Sequence, residues 1–175
     1  GKIAEADQDW IYDPTPDFTY GFNIYLEYKN FDLTAFFQGV QGVDIISDLK
    51  KETDIWSGLN IGFLNKGRRL LNAWSQANPD SNIPAVTLSD NNNEKRVSTY
   101  WVENGSYLKL RTVQLGYNAP KKFAAKLAME RLRFYLSAQN VFTIKSSGFT
   151  GVDPENPNYG YPIPLNITFG LNVTF

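Results

Sequence analysis

The chain has 175 residues, with 17 Lys and Arg against 18 Asp and Glu, and neither Cys nor His. That near-neutral balance lacks the clustered positive charge that phosphate neutralisation demands, so nucleic acid is not an expected partner. Without Cys there are no disulfides or thiolates, and without His the commonest general base and metal ligand is gone, so no catalytic, cofactor or metal site is expected.

No apolar run reaches the roughly 18 residues of a transmembrane helix, and Gly1 to Asp9 are too charged for a signal peptide. A membrane barrel stays open, because each strand needs only about 9–11 residues of alternating character. From Phe18 to Tyr28 every even position is apolar, a period of two that predicts a strand. Lys29-Asn30 has hairpin length, and Phe31, Leu33, Ala35 and Phe37 then alternate with Asp32, Thr34, Phe36 and Gln38. With Tyr28 opposite Phe31, both apolar sets fall on one side.

The stretch from about 41 to 105 is too long for a bare connection and is rich in Asn, Ser, Asp, Lys and Gly. An amphipathic turn is expected from Phe63, Leu64, Leu70, Leu71 and Trp74, stopped by Pro79. A third strand covers 106–117, where strict alternation would put Lys109 and Arg111 on the face of Val113, Leu115 and Tyr117. Either a bulge near Arg111 or a projecting upper half resolves that conflict. Pro120 can open a short helix in 118–130 with Phe123 and Leu127 on one face, forming a small cap below the sheet. The fourth strand reads 132–138, its apolar set ending where Asn140 interrupts it. After a second long connection, 144–164, the last strand is the cleanest: Leu165, Ile167, Phe169, Leu171, Val173 and Phe175 alternate with Asn, Thr and Gly.

Alternation alone would also suit a soluble sheet with one face on a core. Three features favour lipid. Connections alternate short and long, as the two rims of a barrel require. Rings sit at strand ends, where interfacial girdles lie. Large apolar side chains on the last strand are each worth roughly 1.5–3 kcal/mol on burial, and five strands offer no second sheet to cover them. Five strands cannot close a barrel either, and open edges are not tolerated in hydrocarbon. The chain is therefore expected to be incomplete and to pair with strands upstream of Gly1.

Several stretches resemble the C-terminal end of SusC/RagA-like TonB-dependent transporters of the Bacteroidota outer membrane. They are Pro16-Asp17-Phe18-Thr19-Tyr20-Gly21-Phe22, Phe36-Phe37-Gln38-Gly39, and Trp74 through Asn78-Pro79 to Ile83-Pro84. Further on come Arg96-Val97-Ser98, Trp101 to Leu108, Val113 to Tyr117, Ser137 to Thr143 and Phe169 to Phe175. The resemblance implies an all-β fold, a transmembrane antiparallel β-barrel of about 22 strands of which this chain supplies the last five. It implies a nonenzymatic importer of oligosaccharides or peptides, seated in outer-membrane lipid, working with a SusD-like surface lipoprotein and driven by a TonB complex through a plug that this sequence lacks. It places Lys29-Asn30 and 118–130 in the periplasm and the long loops, about 41–105 and 144–164, outside.

Phe169, Leu171, Val173 and Phe175 resemble the terminal signal read by the barrel-assembly machinery, although Phe175 could simply complete a girdle. Trp56, Trp74 and Trp101, with Tyr100, could stack on cargo or meet a lid, or else anchor the loop. Asp153 and Glu155 could do acid–base work, and Asp90 to Glu94 could ligate calcium. Both are read as solvated loops, the second because Lys95 stands where the calcium loop needs Gly. The sequons at Asn166 and Asn172 lie within a strand and are discounted. The competing reading is a soluble β-rich glycan-binding module.

Overall fold

The structure, a computed structural model, describes residues 4–54, 65–87, 96–158 and 160–175. Two compact units emerge, and neither is continuous in sequence. One comprises Pro16–Gly42, Ser106–Ser146 and Pro162–Phe175, and holds the main sheet; the other, drawn from Val43–Gly105, Ser147–Tyr161 and the residues up to Thr15, is a loop unit.

The sheet unit contains β1 (Phe18–Tyr28), β2 (Phe31–Gln41), β5 (Tyr107–Asn118), β6 (Arg131–Lys145) and β7 (Asn166–Thr174), all antiparallel to their neighbours in the order β1-β2-β5-β6-β7. Lys29-Asn30 closes the first hairpin with Tyr28 opposite Phe31, Lys29 taking the left-handed conformation (φ 56°) that a tight two-residue turn needs. Between β5 and β6 lies the short helix α2 (Lys121–Lys126); Pro120 is its N-cap, with ψ 139°, one residue ahead of the first turn in which the sequence placed it.

Arg111 settles the conflict in the third strand. Phe36 pairs with Thr112 but Phe37 with Leu110, so Arg111 has no opposite number on β2. On the other side Leu110 pairs with Phe142 and Thr112 with Gln139, so Asn140 and Val141 stand against Arg111 alone. This is a bulge carried through two neighbouring ladders. The expectation that the fourth strand stops near Asn140 is therefore corrected: β6 runs on to Lys145. Asn140 has φ 55°, a region Asn tolerates better than other side-chain-bearing residues, and its interruption of the pattern marks the bulge rather than an end. β2 likewise extends three residues past Gln38.

The loop unit holds β3 (Asp44–Ile46) and β4 (Val102–Asn104), paired antiparallel, and the helix α1 (Asp48–Asp54). A second, two-stranded sheet thus exists that the alternation did not reveal. Of the expected amphipathic turn, Phe63 and Leu64 lie outside the described residues, and Arg68–Asn72 form a 3-10 helix with Leu71 exposed rather than packed. No helix among the described residues is long and apolar enough to cross a membrane, which says nothing of strands.

Candidate functional site

The bulge decides which side chains share a face. Reading the register across all five strands, Ile24, Ala35, Val113, Ala138 and Ile167 form one row, and Leu26, Leu33, Leu115, Leu136 and Phe169 the next. A third row, Tyr28, Phe31, Tyr117, Phe134 and Leu171, is aromatic in four of five positions, and Phe31 and Tyr117 bring their ring centroids to 4.8 Å. Beyond the bulge the same side continues as Phe22, Phe37, Leu110 and Phe142, with Phe22 stacked on Phe37. Without the bulge Lys109 and Arg111 would occupy this side. With it the apolar surface is unbroken.

That surface is not a core. Ile167, Phe169 and Leu171 are 67%, 68% and 55% exposed, and Phe18, Phe22, Leu26, Leu115, Leu136 and Phe142 are exposed too. An apolar patch of this extent marks contact with a membrane or another protein.

The reverse side is polar. Its rows include Glu27, Asp32, Gly116, Tyr135 and Gly170, then Tyr25, Thr34, Gln114, Ser137 and Thr168, with Phe36 the large apolar exception. Arg133 grips Asp32 at two points, Nη2 to Oδ1 at 2.5 Å and Nε to Oδ2 at 3.2 Å, while Asn118 donates to the same carboxylate at 3.4 Å. The pair crosses β5 over Gly116, where a Cβ would overlap both charged groups, so that position requires glycine. Farther up, Arg111 Nε donates to Gln38 Oε1 at 2.9 Å.

Inside the loop unit, two buried carboxylates organise the chain. Glu103 accepts from Thr150 N (2.9 Å), Thr150 Oγ1 (2.7 Å) and Lys50 Nζ (3.1 Å), and Lys50 also donates to the Tyr100 carbonyl at 3.0 Å. Asp54 accepts from Arg69 Nε and from the Tyr100 hydroxyl, each at 2.5 Å. Tyr100 therefore links both centres. Burial first, and the hydrogen bond to Asp54 second, push its phenol well above the ordinary tyrosine range.

No protein-family model matches the chain. Individual relatives do. It is 37% identical over 191 residues to TonB-dependent receptor P3 of Formosa agariphila, an alignment covering 100% of this chain and 18% of the relative. TonB-dependent receptor P26 of the same organism is 32% identical, again over the full chain and 18% of the relative, and TonB-dependent receptor SusC of Bacteroides thetaiotaomicron is 28% identical over the full chain and 17% of its own length. Throughout its length the chain is similar to TonB-dependent receptors. Among solved structures, the RagAB peptide importer in its open-open state superposes with a TM-score of 0.76 at 29% identity, over 94% of this chain and 18% of the other; its closed-closed state gives 0.75. The chain thus spans under a fifth of the length of these receptors.

Among the residues singled out by sequence, Trp101 is 1% exposed and its indole N–H donates to the Arg96 carbonyl at 2.8 Å, so its ring presents no face for stacking. Trp74, 46% exposed, does present one. Trp56 and the 90–94 run lie outside the described residues. Asp153 is buried and its Oδ1 accepts from Glu155 N at 3.0 Å, a turn-closing arrangement. Phe169, Leu171 and Val173 lie on the apolar side of β7, an edge strand of the sheet, and Phe175 is exposed just beyond it. Sequence reasoning missed Asp54, Glu103 and Lys50, whose partners stand from 15 to about fifty residues away and leave no local signal.

Proposed function

We propose that this chain is a section of the barrel wall, with attached outer loops, of an outer-membrane importer in the TonB-dependent class. In this reading the five strands continue into a closed barrel of about 22 strands. Their apolar side meets lipid, and their polar side lines a wet lumen. The observation that carries it is the uninterrupted, solvent-open apolar surface across five strands, preserved through the bulge at Arg111. Hydrocarbon is the cover such a surface needs, and the aromatic row Tyr28, Phe31, Tyr117 and Phe134 suits one membrane interface.

Cargo is an oligosaccharide or a peptide, met beneath a SusD-like surface lipoprotein, and a TonB complex acts through a plug carried elsewhere in the polypeptide. The likeness to the RagAB peptide importer supports the peptide arm. The exposure of Trp74 supports reading it as a contact for cargo or lid. Phe169, Leu171, Val173 and Phe175 present an unpaired, apolar edge for the assembly machinery to read. None of these residues performs covalent chemistry.

These 175 residues hold no Cys, so a Cys introduced among them is their single thiol. In the full-length protein in native membranes, Leu171→Cys should resist a charged maleimide and react only with a membrane-soluble one, while Asn172→Cys should react with both. Equal reaction of both with the charged reagent, or recovery of the protein in the soluble fraction, would overturn the reading. Uptake of labelled peptides against labelled oligosaccharides by the same cells distinguishes the cargo.

A further inference from the structure

The connection between β1 and β2 needs two residues, whereas the one between β5 and β6 makes a helical excursion at the same rim. Its ends are tied to the sheet: Ala119 N donates to the Leu132 carbonyl and Glu130 N to the Thr174 carbonyl, both at 2.8 Å. Leu132 is on the apolar side with Phe134 and Leu136, yet it is buried where Leu136 is half exposed. The element in contact with β6 there is α2, and its Ala124 is buried as well. The helix therefore lies over the apolar side of the sheet, at the end marked by the aromatic row.

With Ala124 turned inward, Phe123 and Leu127 stand one helical turn apart on a shared stripe, 51% and 48% exposed. Lys122 and Lys126 form the neighbouring stripe, and Lys121 joins them in solvent. No carboxylate occurs between Ala119 and Met129. Exposed rings beside exposed lysines, continuous with a lipid-facing sheet, match the division between acyl chains and anionic headgroups.

We propose that α2 is a membrane anchor: Phe123 and Leu127 enter the acyl–headgroup boundary of the leaflet at the short-turn rim, and Lys121, Lys122 and Lys126 engage the phosphates of anionic phospholipid. The proposal rests on the membrane reading of the sheet. Charge complementarity and continuity with the apolar surface identify the occupant as phospholipid rather than protein.

The test uses the full-length transporter in nanodiscs, with a fluorophore on Leu127→Cys and reference labels on Leu171→Cys and Asn172→Cys. Quenching by acyl-chain and headgroup nitroxide lipids should place the residue 127 label at headgroup depth and the residue 171 label deeper, with the residue 172 label reached only from water. A nitroxide-bearing phosphatidylglycerol should quench the residue 127 label about fivefold more than its phosphatidylcholine counterpart, the gain one lysine supplies near an anionic surface. That preference should collapse toward unity in K121Q/K122Q/K126Q. A label at 127 that is open to aqueous quencher, shielded from all quenchers by a protein, or indifferent to the lysines overturns the anchor while a lipid-facing 171 leaves the barrel reading standing. An aqueous 171 label overturns the barrel reading itself.

Discussion

Tyr100 connects the two charged centres of the loop unit, and its hydroxyl is the group whose loss should be felt most widely there. Its donation to the Asp54 carboxylate makes Tyr100→Phe cost about 1.5–3 kcal/mol, the usual worth of a hydrogen bond to a charged group. Faster hydrogen exchange in α1 and around Arg69 is the expected readout. The same proton sets a pH dependence. Because the folded phenol titrates above the unfolded value of about 10, its contribution is complete below that pH and declines as pH rises through the raised value. Limited proteolysis of the loop unit should therefore accelerate above about pH 10 in the native protein, and the native and Tyr100→Phe profiles should converge there. Ala128 offers the opposite case. It holds φ 54° at the exit of α2, where a side chain is strained by about 1–2 kcal/mol and glycine adds about 0.4–1 kcal/mol of unfolded-state entropy, so Ala128→Gly should stabilise by about 0.5 kcal/mol in urea unfolding.

Among the elements, β6 depends on one extra residue. Deleting Asn140 would move the strand beyond it by one position and exchange Phe142 and Ile144 for their neighbours on the polar side. The deletion should prevent assembly into membranes, whereas Asn140→Gly, which accepts the same φ, should assemble normally; heat-modifiable migration on gels reads both. On β7, Leu171→Arg should cost about 2–4 kcal/mol if it lies near the bilayer midplane, and Asn172→Arg should be tolerated; matching losses at both would contradict the two-faced assignment. The strands were legible because lipid-like and water-like sides alternate at each residue, a signal contained within a few positions. Helix α1 was not, since Asp48–Asp54 contains a single large apolar residue, Leu49, and offers no periodicity. Its place depends on Thr53, Asp54 and Lys50 meeting Arg69, Tyr100 and Glu103 from distant parts of the chain.

At the scale of the molecule, the sheet unit leaves its apolar side uncovered among the described residues, while its reverse side is polar and internally bonded. In the reading proposed above, lipid covers that side and further strands continue the sheet. The similarity to TonB-dependent receptors over the whole chain, together with the likeness to the RagAB importer, agrees with the proposed wall section rather than a free-standing binding module.

Local sequence was enough to place the five strands, their hairpin register near Lys29-Asn30 and the cap helix after Pro120, because each is written in neighbouring residues. Only the tertiary structure decided that Arg111 and Asn140 form one bulge, that Lys109 turns away from the apolar side, that Trp101 is enclosed, and that Glu103 and Asp54 organise the loops. Those outcomes depend on which strand or loop lies opposite, and a partner fifty residues away leaves no periodic trace in the chain that meets it.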